Sequence, residues 1–191
     1  MRQIQLVGPV DKRVIAYPLF KMCDTMGKTL VVTDDANFRR FADNYENEFT
    51  VGRSDFIVVN DIAETVAGDL GLKLGSYDYV LFINTNTLID NNDCLVYCHG
   101  SSQLICSDDV LDWLEGVEHS EITISAQKPK DKKENFLSVE GKAFAYVWEC
   151  EENKMFMPCK HPELAKICNS LFSSVLGVAG EEFSKIIVKE V

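Results

Sequence analysis

Residues 4–13 read IQLVGPVDKR, a short and mostly apolar run that reaches a glycine and then turns through an aspartate into two basic side chains. A helical pattern follows from about Val14 to Met26, and Gly27 with Lys28 behind it is a typical helix stop. A strand that passes through a turn into a helix is the first half of a strand–helix–strand unit. We therefore expect residues 4–26 to open an α/β fold.

The same alternation of short apolar runs and helical patterns continues along the chain. Several runs are continuous, such as YVLFI at residues 79–83, which is typical of strands covered on both faces. Helical patterns lie between the runs: one after Asp34-Asp35, one from Asp61 to Gly71, one from Ser107 and one from Pro162. The candidate strands are Ile4–Val7, Thr29–Thr33, Phe56–Asn60, Tyr79–Asn84, Cys94–Cys98, Glu121–Ser125, Ala143–Trp148 and Ile186–Lys189.

This order predicts a doubly wound α/β fold, a mostly parallel sheet with helices on both faces, because helices that connect parallel strands cross over in one hand. The chain has 191 residues, so we expect a single domain over residues 1–191. Ligands of such sheets bind beyond the carboxyl ends of the strands. The segments to consider are therefore 8–13, 34–37, 60–61 and 84–87.

Composition and charge limit the classes of function. The net charge of −11 argues against a nucleic-acid partner, because phosphate neutralisation needs clustered Lys and Arg. The one basic cluster, residues 128–133, contains Asp131 and falls in a predicted surface loop at 127–134. No run of 18 apolar residues predicts a transmembrane segment, and the N-terminus does not resemble a signal peptide. We expect a cytoplasmic protein.

The cysteines favour reduced, buried thiols over a metal site. Their number is seven, which is odd, and the chain shows no export signal. Cys94 and Cys98 precede His99, but they fall in a predicted strand and no second paired cluster has the spacing of metal ligands. We therefore predict no bound metal.

The turn at residues 8–13 has part of the chemistry of a phosphate-binding loop. Such a loop uses glycines so that backbone N–H groups converge on phosphates, a lysine that neutralises them, and a Ser or Thr that holds Mg²⁺. The segment resembles the G-G-V-G-K-T core of the deviant Walker A motif of ParA/MinD ATPases, with matches at Gly8, Val10 and Lys12. Pro9 and Asp11 stand at its glycine positions. At the position of its Mg²⁺-binding Thr stands Arg13.

The resemblance extends to later segments. Residues 27–35 are similar to the family's second strand, which ends in an Asp that helps to activate water, so Asp34 or Asp35 is matched to that residue. Residues 77–85, YDYVLFINT, look like the family's Walker B strand, with Asn84 in place of its Asp. An amide is a poorer partner than a carboxylate for an Mg²⁺ shell. Residues 155–158, MFMP, and the helix from Pro162 resemble the family's late elements.

The resemblance implies a P-loop NTPase-like fold with a vestigial or weak nucleotide site and no catalytic residues. ATP is at most a weak ligand. The implied function is that of a non-hydrolysing pseudo-ATPase, a structural, positioning or regulatory partner of a bacterial machine. Family dimers enclose ATP, so loss of tight binding implies a monomer or a nucleotide-independent homodimer. The residues carried over are Gly8, Val10, Asp11, Lys12, Arg13, Asp34, Asp35 and Asn84.

Three alternatives stay open at this point. One is an active nucleotide-binding enzyme with unusual phosphate contacts from Lys12, Arg13 and Asp35. The second starts from residues 29–40, which also resemble the opening of a response-regulator receiver domain and would place Asn84 at the phosphoacceptor position. The third is a globular subunit whose strand ends are merely polar.

Overall fold

The computed structural model describes residues 1–42, 46–68, 73–100, 112, 114–125, 136–138 and 162–178. Within them, eight strands form one sheet in the order β3-β4-β2-β5-β1-β6-β7-β8. Every neighbouring pair is parallel except the β3–β4 hairpin. The mostly parallel sheet is thus confirmed. The strands are β1 Arg2–Val7, β2 Thr29–Thr33, β3 Glu48–Val51, β4 Ser54–Val58, β5 Tyr79–Asn84, β6 Cys94–His99, β7 Ser120–Ser125 and β8 Phe136–Ser138.

Helices cover both faces of this sheet, as predicted. On one face, α1 (Arg13–Met26) packs on alternate residues of the strands, including Leu81 and Ile83 of β5, and α3 (Pro162–Leu176) packs against α1 and β8. The opposite face of β5, with Val80 and Phe82, packs against α2 (Ile62–Ala67). Because side chains alternate along a strand, one apolar run supplies both cores.

The segment after Asp34-Asp35 forms a 3-10 helix, Ala36–Phe41, and not the expected α-helix. Backbone bonds of the i to i+3 type run from Phe38 N to Asp35 O and from Ala42 N to Arg39 O. Residues three apart lie on the same side of a 3-10 helix. This places Phe38 and Phe41 side by side, with ring centroids 5.5 Å apart, against the aromatic core under α1.

Single residues mark local features of α1 and α2. Pro18 lies inside α1, which starts at Arg13. Asp61 caps α2, because its side chain accepts a hydrogen bond from the backbone N–H of Glu64.

Strands β3 and β8 were not predicted from the sequence. Several predicted elements lie outside the described residues. These are the strands at 143–148 and 186–189, the start of the helix at Ser107, the loop at 127–134 and the segment 155–158. In the part of the chain that the structure describes, no helix is long and apolar enough to cross a membrane.

Candidate functional site

A cleft of about 340 Å³ opens where β1, β2 and β5 end. This is the edge of the sheet where α/β proteins bind ligands. Five of the eight residues that the family resemblance assigned to a nucleotide site line this cleft. The rest of the lining also belongs to the segments that directly follow the three strands. The lining consists of Pro9, Val10, Asp11, Lys12, Asp34, Asp35, Ala36, Asn37 and Thr85.

Gly8 starts the loop that leads from β1 into this cleft. Its N–H donates to the carbonyl oxygens of Asn84 (3.2 Å) and Thr85 (3.0 Å) at the end of β5. Its φ is +130°, and a Cβ at this position would lie 2.0 Å from the carbonyl oxygen of Cys98 in β6. Only glycine allows this backbone conformation and this approach to the neighbouring strand.

The ammonium group of Lys12 points back into its own loop. Its Nζ donates to the carbonyl oxygens of Gly8 (2.5 Å) and Val10 (2.9 Å). The side chain is buried, and burial lowers the pKa of Lys12 below its usual value, while the negative groups nearby, Asp34 among them, oppose this. The one positive charge in the cleft lining is thus already bonded to protein oxygens.

Asp11 and Arg13 form a closed ion pair at the start of α1. Oδ1 of Asp11 accepts from the backbone N–H of Arg13 (3.1 Å) and from its Nε (2.7 Å), and Oδ2 pairs with Nη2. The arginine side chain is 4% exposed. The carboxylate therefore binds one edge of the guanidinium and an N–H of the first helical turn together.

The two aspartates after β2 make backbone contacts. Asp34 accepts a hydrogen bond from the N–H of Thr85 (3.2 Å), which ties β2 to β5 across the cleft. Burial raises the pKa of Asp34, and the Thr85 bond and the charge of Lys12 reduce this effect. Asp35 caps the 3-10 helix by accepting from the N–H of Asn37 (2.9 Å).

Asn84 is the one carried-over side chain that lies on the other face of the sheet. It continues the row of Val80 and Phe82, away from α1, and it is fully buried. Its Oδ1 accepts from Nε2 of Gln5 (2.8 Å), and its Nδ2 donates to the carbonyl oxygen of Thr87. The cleft is lined by Thr85 and not by Asn84.

Gln5 is the partner that the sequence analysis missed. Its Nε2 also donates to the carbonyl oxygen of Thr87 (2.5 Å), and its Oε1 accepts from the N–H of Ile89 (3.1 Å) and from Nδ2 of Asn92 (2.9 Å). The side chain is fully buried in β1. The amide between the apolar residues Ile4 and Leu6 was the available signal, because buried polar groups need partners.

The described part of the chain has no cluster of side chains that could bind a metal ion. No three of its His, Cys, Asp or Glu side chains are placed to hold an ion. Burial raises the pKa of Cys94 to about 11 and that of Cys98 to about 12, so both thiols stay protonated at neutral pH. Of the three cysteines in the described residues, Cys23 and Cys98 are buried, as expected, and Cys94 is partly buried.

The strand order and the cleft at the carboxyl edge define a P-loop NTPase-like α/β fold. No protein-family model matches the chain, and no curated protein matches it. A solved structure does match: the crystal structure of a protein described as a candidate plasmid partition protein from Borrelia burgdorferi B31, bound to AMPPNP. The TM-score is 0.52 at 13% sequence identity, and the match covers 100% of both chains. At this identity the likeness establishes the fold.

Proposed function

We propose that this chain is a ParA/MinD-like pseudo-ATPase that retains the fold of a nucleotide-binding protein but does not hydrolyse ATP. It works as one domain in the bacterial cytoplasm, as a structural, positioning or regulatory partner of another protein assembly. The likeness to a partition protein that holds AMPPNP supports this class of role.

The observation that carries the proposal is the engagement of Asn84. Hydrolysis in this family needs oxygen ligands that order Mg²⁺, and the resemblance assigns them to the positions of Arg13 and Asn84. The amide of Asn84 is bonded to Gln5 and Thr87 on the face of the sheet away from α1. The guanidinium at the other position is no metal ligand and is paired with Asp11. Neither position offers Mg²⁺ a ligand in the cleft.

The charge of the cleft supports the same conclusion. Asp11, Asp34 and Asp35 line it together with the single ammonium of Lys12. An ATP triphosphate brings several negative charges, and like charges repel most where water is excluded. The lining therefore disfavours tight binding of the triphosphate.

The receiver-like alternative does not account for β1. That strand lies between β5 and β6 in the sheet, and its loop forms one wall of the cleft. A receiver that begins at residue 29 would leave out this strand and α1.

ATP turnover tests the proposal. We expect the wild type to release phosphate from Mg-ATP no faster than a Lys12→Met variant, because loss of preorganised charge stabilisation costs about 10²–10³ in rate per group. Methionine keeps the buried stem of the lysine and removes the ammonium, so the control is matched in shape. A turnover that depends on Lys12 would instead favour the nucleotide-binding enzyme that uses Lys12, Arg13 and Asp35.

A further inference from the structure

Both basic side chains of the loop at residues 8–13 bond to oxygen atoms of the same loop. Lys12 is bonded to the carbonyl oxygens of Gly8 and Val10, and Arg13 is paired with Asp11. The bonded residues are only two to four positions apart in sequence, so the loop makes these contacts with itself. Both basic side chains are only 4% exposed.

The position of the Asp11 carboxylate is that of a bound anion. It accepts from the N–H of Arg13, the first residue of α1, where the partial positive charge of a helix lies. It also accepts from Nε and Nη2 of the same residue, which is the forked contact that arginine makes with carboxylates and phosphates alike. One carboxylate thus takes up donors that a phosphate oxygen would otherwise use.

We propose that Asp11 is an internal anion that closes the loop at residues 8–13 against phosphate, an autoinhibitory contact built into the turn between β1 and α1. This inference rests on the proposed function, and it gives a cause for the weak binding of nucleotide phosphates. Phosphate is excluded because Asp11 holds the donors of Arg13, and the general negative charge of the cleft is secondary.

A pair of variants separates these two causes. Asp11→Asn and Asp35→Asn each remove one negative charge from the same cleft. Asparagine keeps one acceptor oxygen, which can replace Oδ1 of each carboxylate, but its NH2 group cannot accept the Nη2 bond that Oδ2 of Asp11 accepts. The structure records contacts with Arg13 for Asp11, whereas the carboxylate of Asp35 accepts from the N–H of Asn37. The probe is inorganic pyrophosphate without metal, and its dissociation constant is measured by titration calorimetry.

We expect Asp11→Asn to bind pyrophosphate at least about tenfold more tightly than the wild type. A neutral amide binds the N–H groups of Arg13 more weakly than a carboxylate does, so an incoming anion can displace it. Asp35→Asn should change the affinity by less than about threefold. An equal gain in both variants, or no gain in a folded Asp11→Asn protein, overturns the proposal.

A measurement on the wild type covers the case in which Asp11→Asn does not fold. The Nε–H resonance of Arg13 should be visible and protected from exchange in NMR spectra, and tens of millimolar pyrophosphate should leave it unshifted. A shift on titration would show that phosphate reaches Arg13 with Asp11 in place, which overturns the proposal. Turnover of Mg-ATP by the wild type is measured separately, so failure of the pseudo-ATPase assignment is distinguishable from failure of this inference.

Discussion

Gly8 shows how a single residue joins the sheet to the candidate site. Its N–H bonds to the end of β5, and its backbone passes so close to β6 that a Cβ would lie 2.0 Å from the carbonyl oxygen of Cys98. The loop that carries Lys12 begins there. The conformation of one glycine therefore determines where the cleft lining starts.

We predict that Gly8→Ala destabilises the protein by at least about 3 kcal/mol, since it combines a positive φ with a backbone clash that no side-chain movement relieves. Urea denaturation followed by circular dichroism measures the free energy of unfolding. Gly75→Ala is the matched control, because a Cβ at Gly75 meets nothing within 4 Å. Similar free energies for the two variants would contradict the close approach of Gly8 to β6.

At the scale of elements, a buried amide cluster connects β1 and β5 to the segment between β5 and β6. Gln5 contacts Asn84 on β5, and it also contacts Thr87, Ile89 and Asn92 on the segment between β5 and β6. This is the segment that begins with Thr85 in the cleft. Hydrogen bonds from the buried side chain of Gln5 therefore fix the path of this segment.

We predict that Gln5→Met costs about 2–4 kcal/mol of unfolding free energy, because it leaves several buried donors and acceptors without partners. Gln3→Met, the same change at a partly exposed position of β1, should cost less than about 1 kcal/mol. Chemical denaturation of both variants checks this. Equal and small losses would mean that water or other groups replace the Gln5 bonds.

At the scale of the whole molecule, the prediction concerns assembly. The ParA/MinD resemblance implies dimers that enclose ATP, and the proposed closure of the loop at residues 8–13 against phosphate would remove the reason for ATP to drive association. We expect the molar mass from light scattering after size exclusion to be the same with and without Mg-AMPPNP, whether it corresponds to a monomer or a homodimer. A mass that doubles on addition of the nucleotide would contradict the pseudo-ATPase proposal at its central point.

The sequence was sufficient for much of the fold because the signals are local. Continuous apolar runs predicted β2 and β5 at their observed bounds, and the glycine stop predicted the end of α1. Strand β3 was missed because it is an edge strand of only four residues, and the alternation of its polar and apolar residues is too short to identify a strand. The 3-10 helix was missed because packing of Phe38 and Phe41 determines its type.

For the site, the sequence by itself determined that Lys12, Asp34 and Asp35 would meet at one edge of the sheet, since the carboxyl ends of parallel strands lie together. Only the tertiary structure decided what those groups contact. Gln5 and Asn84 are 79 residues apart in sequence and become partners because β1 lies beside β5. The alternation of β5 places Asn84 on the face away from α1, and the neighbouring strand β1 determines which groups it meets there.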